Sequence, residues 1–158
     1  MSFKFFIKEL PLFAFLNYIL AKFVTVVFIF IHNQLETKQW SYALLWRNLH
    51  IEKNLNNLIS PLLMAPLLET LVFCVIIWRL CQKFRCNGFV FIMISASLFS
   101  PYHLFGDGKG IYTLVYTFVG GCILAYVYQQ KIQKYKEDTA FICTALVHSL
   151  SNFLSVMA

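Results

Sequence analysis

Residues 58–78 read LISPLLMAPLLETLVFCVIIW, and this stretch decides the fold. A membrane-crossing helix needs about 20 predominantly apolar residues. This run has that length, and its one charged residue is Glu69. An ionisable side chain in hydrocarbon costs roughly 2.5–3.5 kcal/mol on insertion scales, so Glu69 calls for a partner that offsets the cost. Four other runs repeat the pattern: 11–31, interrupted by Lys22, then 88–105, 111–128 and 139–157. The expectation is an all-α integral membrane bundle of about five transmembrane helices, a single domain over residues 1–158. Between the first two runs, residues 33–57 place Trp40, Tyr42, Leu44, Leu45 and Trp46 among polar residues. That suits a helix lying in the membrane interface, or an ordinary polar connection.

Composition points the same way. Hydrophobic residues make up 59% of the chain and charged residues 13%, against about 25% charged in soluble domains. The net charge of +6 does not mark a nucleic-acid binder, because the basic residues are scattered along short loops beside apolar runs. Membrane lipids are the expected partner of that charge. The cysteines, Cys74, Cys81, Cys86, Cys122 and Cys143, show no paired zinc-like spacing and no disulfide framework. Lys4 and Lys8 precede the first apolar run in the manner of a signal peptide, but the run extends to Ile31 without a small-residue cleavage site. It reads as a retained helix. An N-terminus on the inside puts Lys4, Lys8, Arg79, Lys83, Arg85, Lys131, Lys134 and Lys136 on the inner face. It leaves Lys38, Arg47, Lys53 and Lys109 outside, so the charge bias favours that orientation.

The polar residues left inside the apolar runs are few. Glu69 lies near the middle of its run, at a depth where a carboxyl group can serve as general base or acid. His148 and Asn152 are four apart, one turn from each other on one helical face. That pair can polarise a carbonyl or orient a water, or it can simply tie helices together. His103 stands near the end of the third run, two residues after Pro101. A straight helix leaves it shallower than Glu69, a gap that a proline kink or a helix tilt would have to close. Glu69, His103, His148 and Asn152 come from three separate runs, so a shared site requires the fold to bring them together. Such a site could activate water, with the glutamate as base and the histidines and asparagine as electrophilic partners. One carboxylate and two imidazoles could equally hold a divalent metal such as zinc with an open position. Gly120 and Gly121 in the fourth run favour close helix approach, and Gly106, Asp107, Gly108 and Gly110 read as a turn.

Three short motifs add a resemblance. Ala65-Pro66-Leu67-Leu68-Glu69-Thr70-Leu71-Val72-Phe73-Cys74, Phe99-Ser100-Pro101-Tyr102-His103 and His148-Ser149-Leu150-Ser151-Asn152 occur in that order. They resemble the three motifs of the CPBP family (CAAX protease and bacteriocin-processing, or ABI) of intramembrane endopeptidases, with coverage over about 61–158. Two positions depart from the family pattern: Thr70 stands where a second glutamate is usual, and Cys74 where an arginine is usual. The resemblance implies that Glu69 activates a water for attack on a peptide bond, helped by His103, His148 and Asn152. It implies as substrate a membrane-anchored protein or peptide, such as the C-terminal sorting tail of an exported protein, and as location a bacterial inner (cell) membrane. The competing expectations are an inactive family member that binds peptides or confers immunity, and a metal-binding membrane protein.

Overall fold

A computed structural model of the 158-residue chain describes residues 11–20, 22, 23, 26, 27, 59–107 and 112–157. Those residues form five helices and no strand: α1 (Pro11–Leu20), α2 (Ser60–Lys83), α3 (Gly88–Asp107), α4 (Tyr112–Ile132) and α5 (Glu137–Met157). The fold is the expected all-α bundle. By length and composition α2, at 24 residues, is long and apolar enough to cross a membrane, while α1 and Gly88–His103 of α3 are shorter apolar helices. At 21 residues each, α4 and α5 extend about 32 Å, close to the hydrocarbon thickness of a bilayer. The expected interfacial segment 33–57 and positions 108–110 of the expected glycine turn lie outside the described residues, while Gly106 and Asp107, expected in that turn, form the end of α3.

Helix ends run past the apolar stretches that signalled them. α2 continues through Arg79 to Lys83, and α5 begins at Glu137 and Asp138, acidic residues in a first turn where the helix dipole favours them. Arg79 Nε donates to Glu137 Oε1 at 2.8 Å, joining the ends of α2 and α5. The α2–α3 turn is closed by backbone geometry. Cys86 N–H bonds to Cys81 O at 2.8 Å and Arg85 N–H to Gln82 O at 3.2 Å, with Arg85 at φ 54. This is a Schellman ending whose left-handed position is filled by arginine instead of glycine. Asn87 then caps α3, its Oδ1 accepting from Val90 N–H at 2.9 Å.

Polar side chains stitch the apolar helices together. Ser100 Oγ donates to Leu114 O at 2.6 Å, and Thr117 Oγ1 lies 3.2 Å from Ser100 Oγ, linking α3 to α4. Asn17 Nδ2 donates to Ser151 Oγ at 3.2 Å, which ties α1 to α5. Gly121 sets how closely α3 and α4 approach, because an added Cβ would sit 3.0 Å from Ala96 Cα and 3.1 Å from a Phe99 ring carbon. Gly120 faces Asn17 with room for a Cβ at ordinary contact distance, so the close-approach reading holds for Gly121 alone. Phe91, Val127, Tyr128 and Val147 are fully buried at the centre. Leu63, Leu68, Leu71, Ile76 and Leu80 form an exposed apolar face on α2, the composition lipid requires. Lys22 places its ammonium 5.5 Å from the centre of the Tyr18 ring one turn back, a cation–π contact.

Candidate active site

The local backbone of α2 is unusual on both sides of Glu69. Ser60–Met64 and Thr70–Ile76 are wound as π-helix, with a single α-helical stretch, Ala65–Glu69, between them. π-Turns are rare and tend to occur at functional sites. They also rearrange which backbone carbonyls need partners. In the first stretch Ala65 N–H reaches back five residues to Ser60 O. The next such bond would run from residue 66 to Pro61 O, but Pro66 has no N–H to give. Asn152 of α5 fills that role, its Nδ2 donating to Pro61 O at 2.8 Å.

Three of the four singled-out residues meet. Glu69 Oε2 lies 3.4 Å from His148 Nε2 and 3.6 Å from His103 Nε2. These are charge-pair distances, longer than a formed hydrogen bond. The Glu69 side chain is 7% exposed, His148 6% and His103 17%, so His103 marks the more open side of the cluster. Asn152 is one turn from His148 on the same helix, but its amide is spent on Pro61 and not on Glu69.

The level of His103 follows from helix lengths. Glu69 lies 14 residues before Lys83, and His103 lies 15 residues after Gly88. At an α-helical rise of roughly 1.5 Å per residue, these counts put both about 21–23 Å from the turn that joins α2 to α3, less the tighter rise of the π-wound Thr70–Ile76 on the Glu69 side. The shallower placement expected for His103 came from counting from the ends of the apolar runs; counted from the turn, the two residues are level. α3 runs on as helix through Pro101 to Asp107.

Aromatic rings fix the imidazoles. Phe99 stands edge-to-face against both, with ring centres 4.6 Å from His103 and 5.8 Å from His148. Phe73 in turn packs on Phe99 at 5.4 Å and on Tyr102 at 5.5 Å, while Tyr102 flanks His103 at 5.3 Å. Gly121, by admitting the Phe99 ring, belongs to the same support. The spacing of Phe99 and His103 put them on one helical face, but nothing in the sequence marked Phe99 as the ring shared by both histidines.

Beside Glu69 lies a small cavity of about 10 Å³ between α2, α3, α4 and α5, with Thr70, Phe73, Ser95, Phe99, Leu124 and His148 in its lining. Ser95 Oγ donates to Phe73 O at 2.6 Å across the α2–α3 contact. Ser95 had no sequence signal, since it is one of several serines in an apolar run. Among the described residues, no group of three or more His, Cys, Asp or Glu side chains is disposed to hold a metal ion. Both imidazoles instead address the same carboxylate oxygen.

Chemically, the cluster offers a buried proton acceptor with two imidazole nitrogens at its edge. Comparison with curated proteins and with solved structures gave no match. A family model described as type II CAAX prenyl endopeptidase Rce1-like matches residues 51–154, more than half of the chain and a range that contains Glu69, His103, His148 and Asn152. The chain therefore belongs to the Rce1-like family of CAAX-type endopeptidases, which are integral membrane proteases of helical-bundle fold.

Proposed function

We propose that the protein hydrolyses a peptide bond in a membrane-anchored polypeptide, using Glu69 as the base that activates water. The observation that carries this reading is the convergence of His148 and His103 on Glu69 Oε2, at 3.4 and 3.6 Å, inside an apolar bundle. Glu69 takes a proton from water as the water oxygen bonds to the scissile carbonyl carbon. The charge that develops on the carbonyl oxygen needs a donor, and His103, on the more open side, supplies Nε2–H. His148 holds the carboxylate in place. The proton on Glu69 then passes to the leaving amine nitrogen as the C–N bond breaks. Asn152 acts at one remove, by fixing α2 against α5 through Pro61.

The family description supports a membrane-anchored protein substrate of CAAX type. The proposed substrate is such a C-terminal tail, with the sorting tail of an exported protein as the form suited to a site open to the outer half of the membrane. With the N-terminus cytoplasmic, α2 runs inward and Glu69 lies nearer its outer end, so the cluster is reached from the outer half of the membrane. In such a bilayer the exposed α2 leucines face lipid.

The test is cleavage of a fluorogenic CAAX-type lipopeptide by purified protein in H₂¹⁸O, with and without a chelator. The expected result is cleavage that resists chelation and places ¹⁸O in the new carboxyl terminus. Binding of the lipopeptide without cleavage would contradict the reading and favour a peptide-binding role. Cleavage lost with the chelator and restored by zinc would contradict the metal-free mechanism.

A further inference from the structure

Several hydroxyl side chains in this bundle return their proton to a carbonyl one turn back, Ser95 and Ser100 donate to carbonyls of neighbouring helices, and among the described residues Thr70 and Thr113 are buried with no bond to their hydroxyls. Thr117 donates to Thr113 O, Thr144 to Ala140 O, Ser151 to Val147 O and Ser155 to Ser151 O. Thr70 does not. Thr70 Oγ1 has no hydrogen-bond partner among the described residues. Yet Thr70 is 2% exposed. Glu69 Oε2 and His148 Nδ1 are likewise buried without a hydrogen bond among the described residues.

All three of these atoms belong to residues that line the pocket beside Glu69. Leaving a buried polar atom unsatisfied costs about 1–3 kcal/mol, and three in one place are a large burden for a small bundle. Ser95 lines the same pocket, and with its proton given to Phe73 O its oxygen still accepts. A water needs two to four polar partners and a cavity of roughly 10–15 Å³, and the cavity here, about 10 Å³, has room for one. Phe73, Phe99 and Leu124 wall the space with apolar surface. The polar part of the lining comes from Glu69, Thr70, Cys74, Ser95 and His148.

We infer that this pocket is an internal water site and that Thr70 is its positioning residue, its hydroxyl holding a water within reach of Glu69. The inference rests on the peptidase reading given above and adds where the reacting water is kept in an apolar bundle. Thr70 Oγ1 either donates to that water or accepts from it, while Glu69 Oε2 accepts its proton. No covalent bond to threonine forms.

The experiment compares Thr70→Val, which keeps the shape and removes the hydroxyl, with Thr70→Ser, which keeps the hydroxyl. Glu69→Gln is measured in parallel. Thr70→Val is expected to lower kcat roughly tenfold, the size of one lost hydrogen bond in the transition state, with KM within twofold of wild type. Thr70→Ser should stay within about threefold of wild-type kcat, since the donor is retained. Stability supplies a reading independent of activity. If the hydroxyl bonds a water, Thr70→Val melts at or below the wild-type temperature. If it is dry and unpaired, removing it relieves a desolvation cost and the melting temperature rises, which overturns the inference. Wild-type kcat in Thr70→Val with an inactive Glu69→Gln also overturns the water site while leaving the peptidase reading standing. Full activity in Glu69→Gln overturns the peptidase reading itself.

Discussion

At Glu69 the two histidines are not equivalent, and the difference is one of burial. His148 is the nearer and more enclosed partner, at 3.4 Å and 6% exposed, and His103 sits at 3.6 Å and 17% exposed. A residue that only holds the base and a residue that touches the reacting carbonyl fail differently when changed. His103→Gln should lower kcat by about 10²–10³, the range for losing one donor to a developing oxyanion, with little effect on folding. His148→Gln should lower both kcat and the melting temperature, because its ring is packed against Phe99 in the interior. Rates and thermal melts of the two variants check this; a His148→Gln protein that melts as wild type while His103→Gln unfolds would reverse the assignment. The four residues themselves were legible in the sequence, as costly polar groups in apolar runs. Their partition was not, since spacing along one helix says nothing of which nitrogen meets which oxygen. Asn152 shows the limit best: one turn from His148, it spends its amide on Pro61 O.

At the scale of elements, α2 carries the irregular winding and α3 to α5 carry the support. The alternation of π and α winding around Glu69 had no sequence signal beyond Pro61 and Pro66, and a proline pair alone reads as an ordinary helix start. The consequence is a carbonyl that α2 cannot satisfy by itself. Asn152→Ala should therefore destabilise the protein by about 1–2 kcal/mol, by leaving Pro61 O unpaired, and should lower activity through a shifted α2. Asn152→Gln, longer by one methylene, should recover stability in part. Chemical denaturation in detergent measures both; an Asn152→Ala protein as stable as wild type but inactive would instead make Asn152 a direct participant. Gly121 was legible as a close-approach residue, whereas its neighbour Gly120 could be separated from it only once the positions of Ala96, Phe99 and Asn17 were known.

At the scale of the molecule, hydropathy and charge set the architecture before any contact is considered. Five apolar runs became five helices, and the site was level because α2 and α3 form a hairpin around a tight turn. The proposed N-in orientation places that turn, with Lys83, Arg85 and Cys86, on the cytoplasmic side. In a variant with Cys86 as its one cysteine, a membrane-impermeant thiol reagent should label the protein only after the vesicle or cell is permeabilised on that side. Labelling of intact cells from outside would invert the topology.

The proposed chemistry turns on one buried carboxylate that does the proton transfer. Its most direct test is the single-turnover cleavage rate of Glu69→Gln in reconstituted vesicles, beside its melting temperature. The amide keeps the size of the side chain and removes the base. The expected rate is lower by ~10²–10⁴, the contribution of a general base, with a melting temperature at or above that of wild type. A Glu69→Gln protein that cleaves within tenfold of the wild-type rate would contradict it.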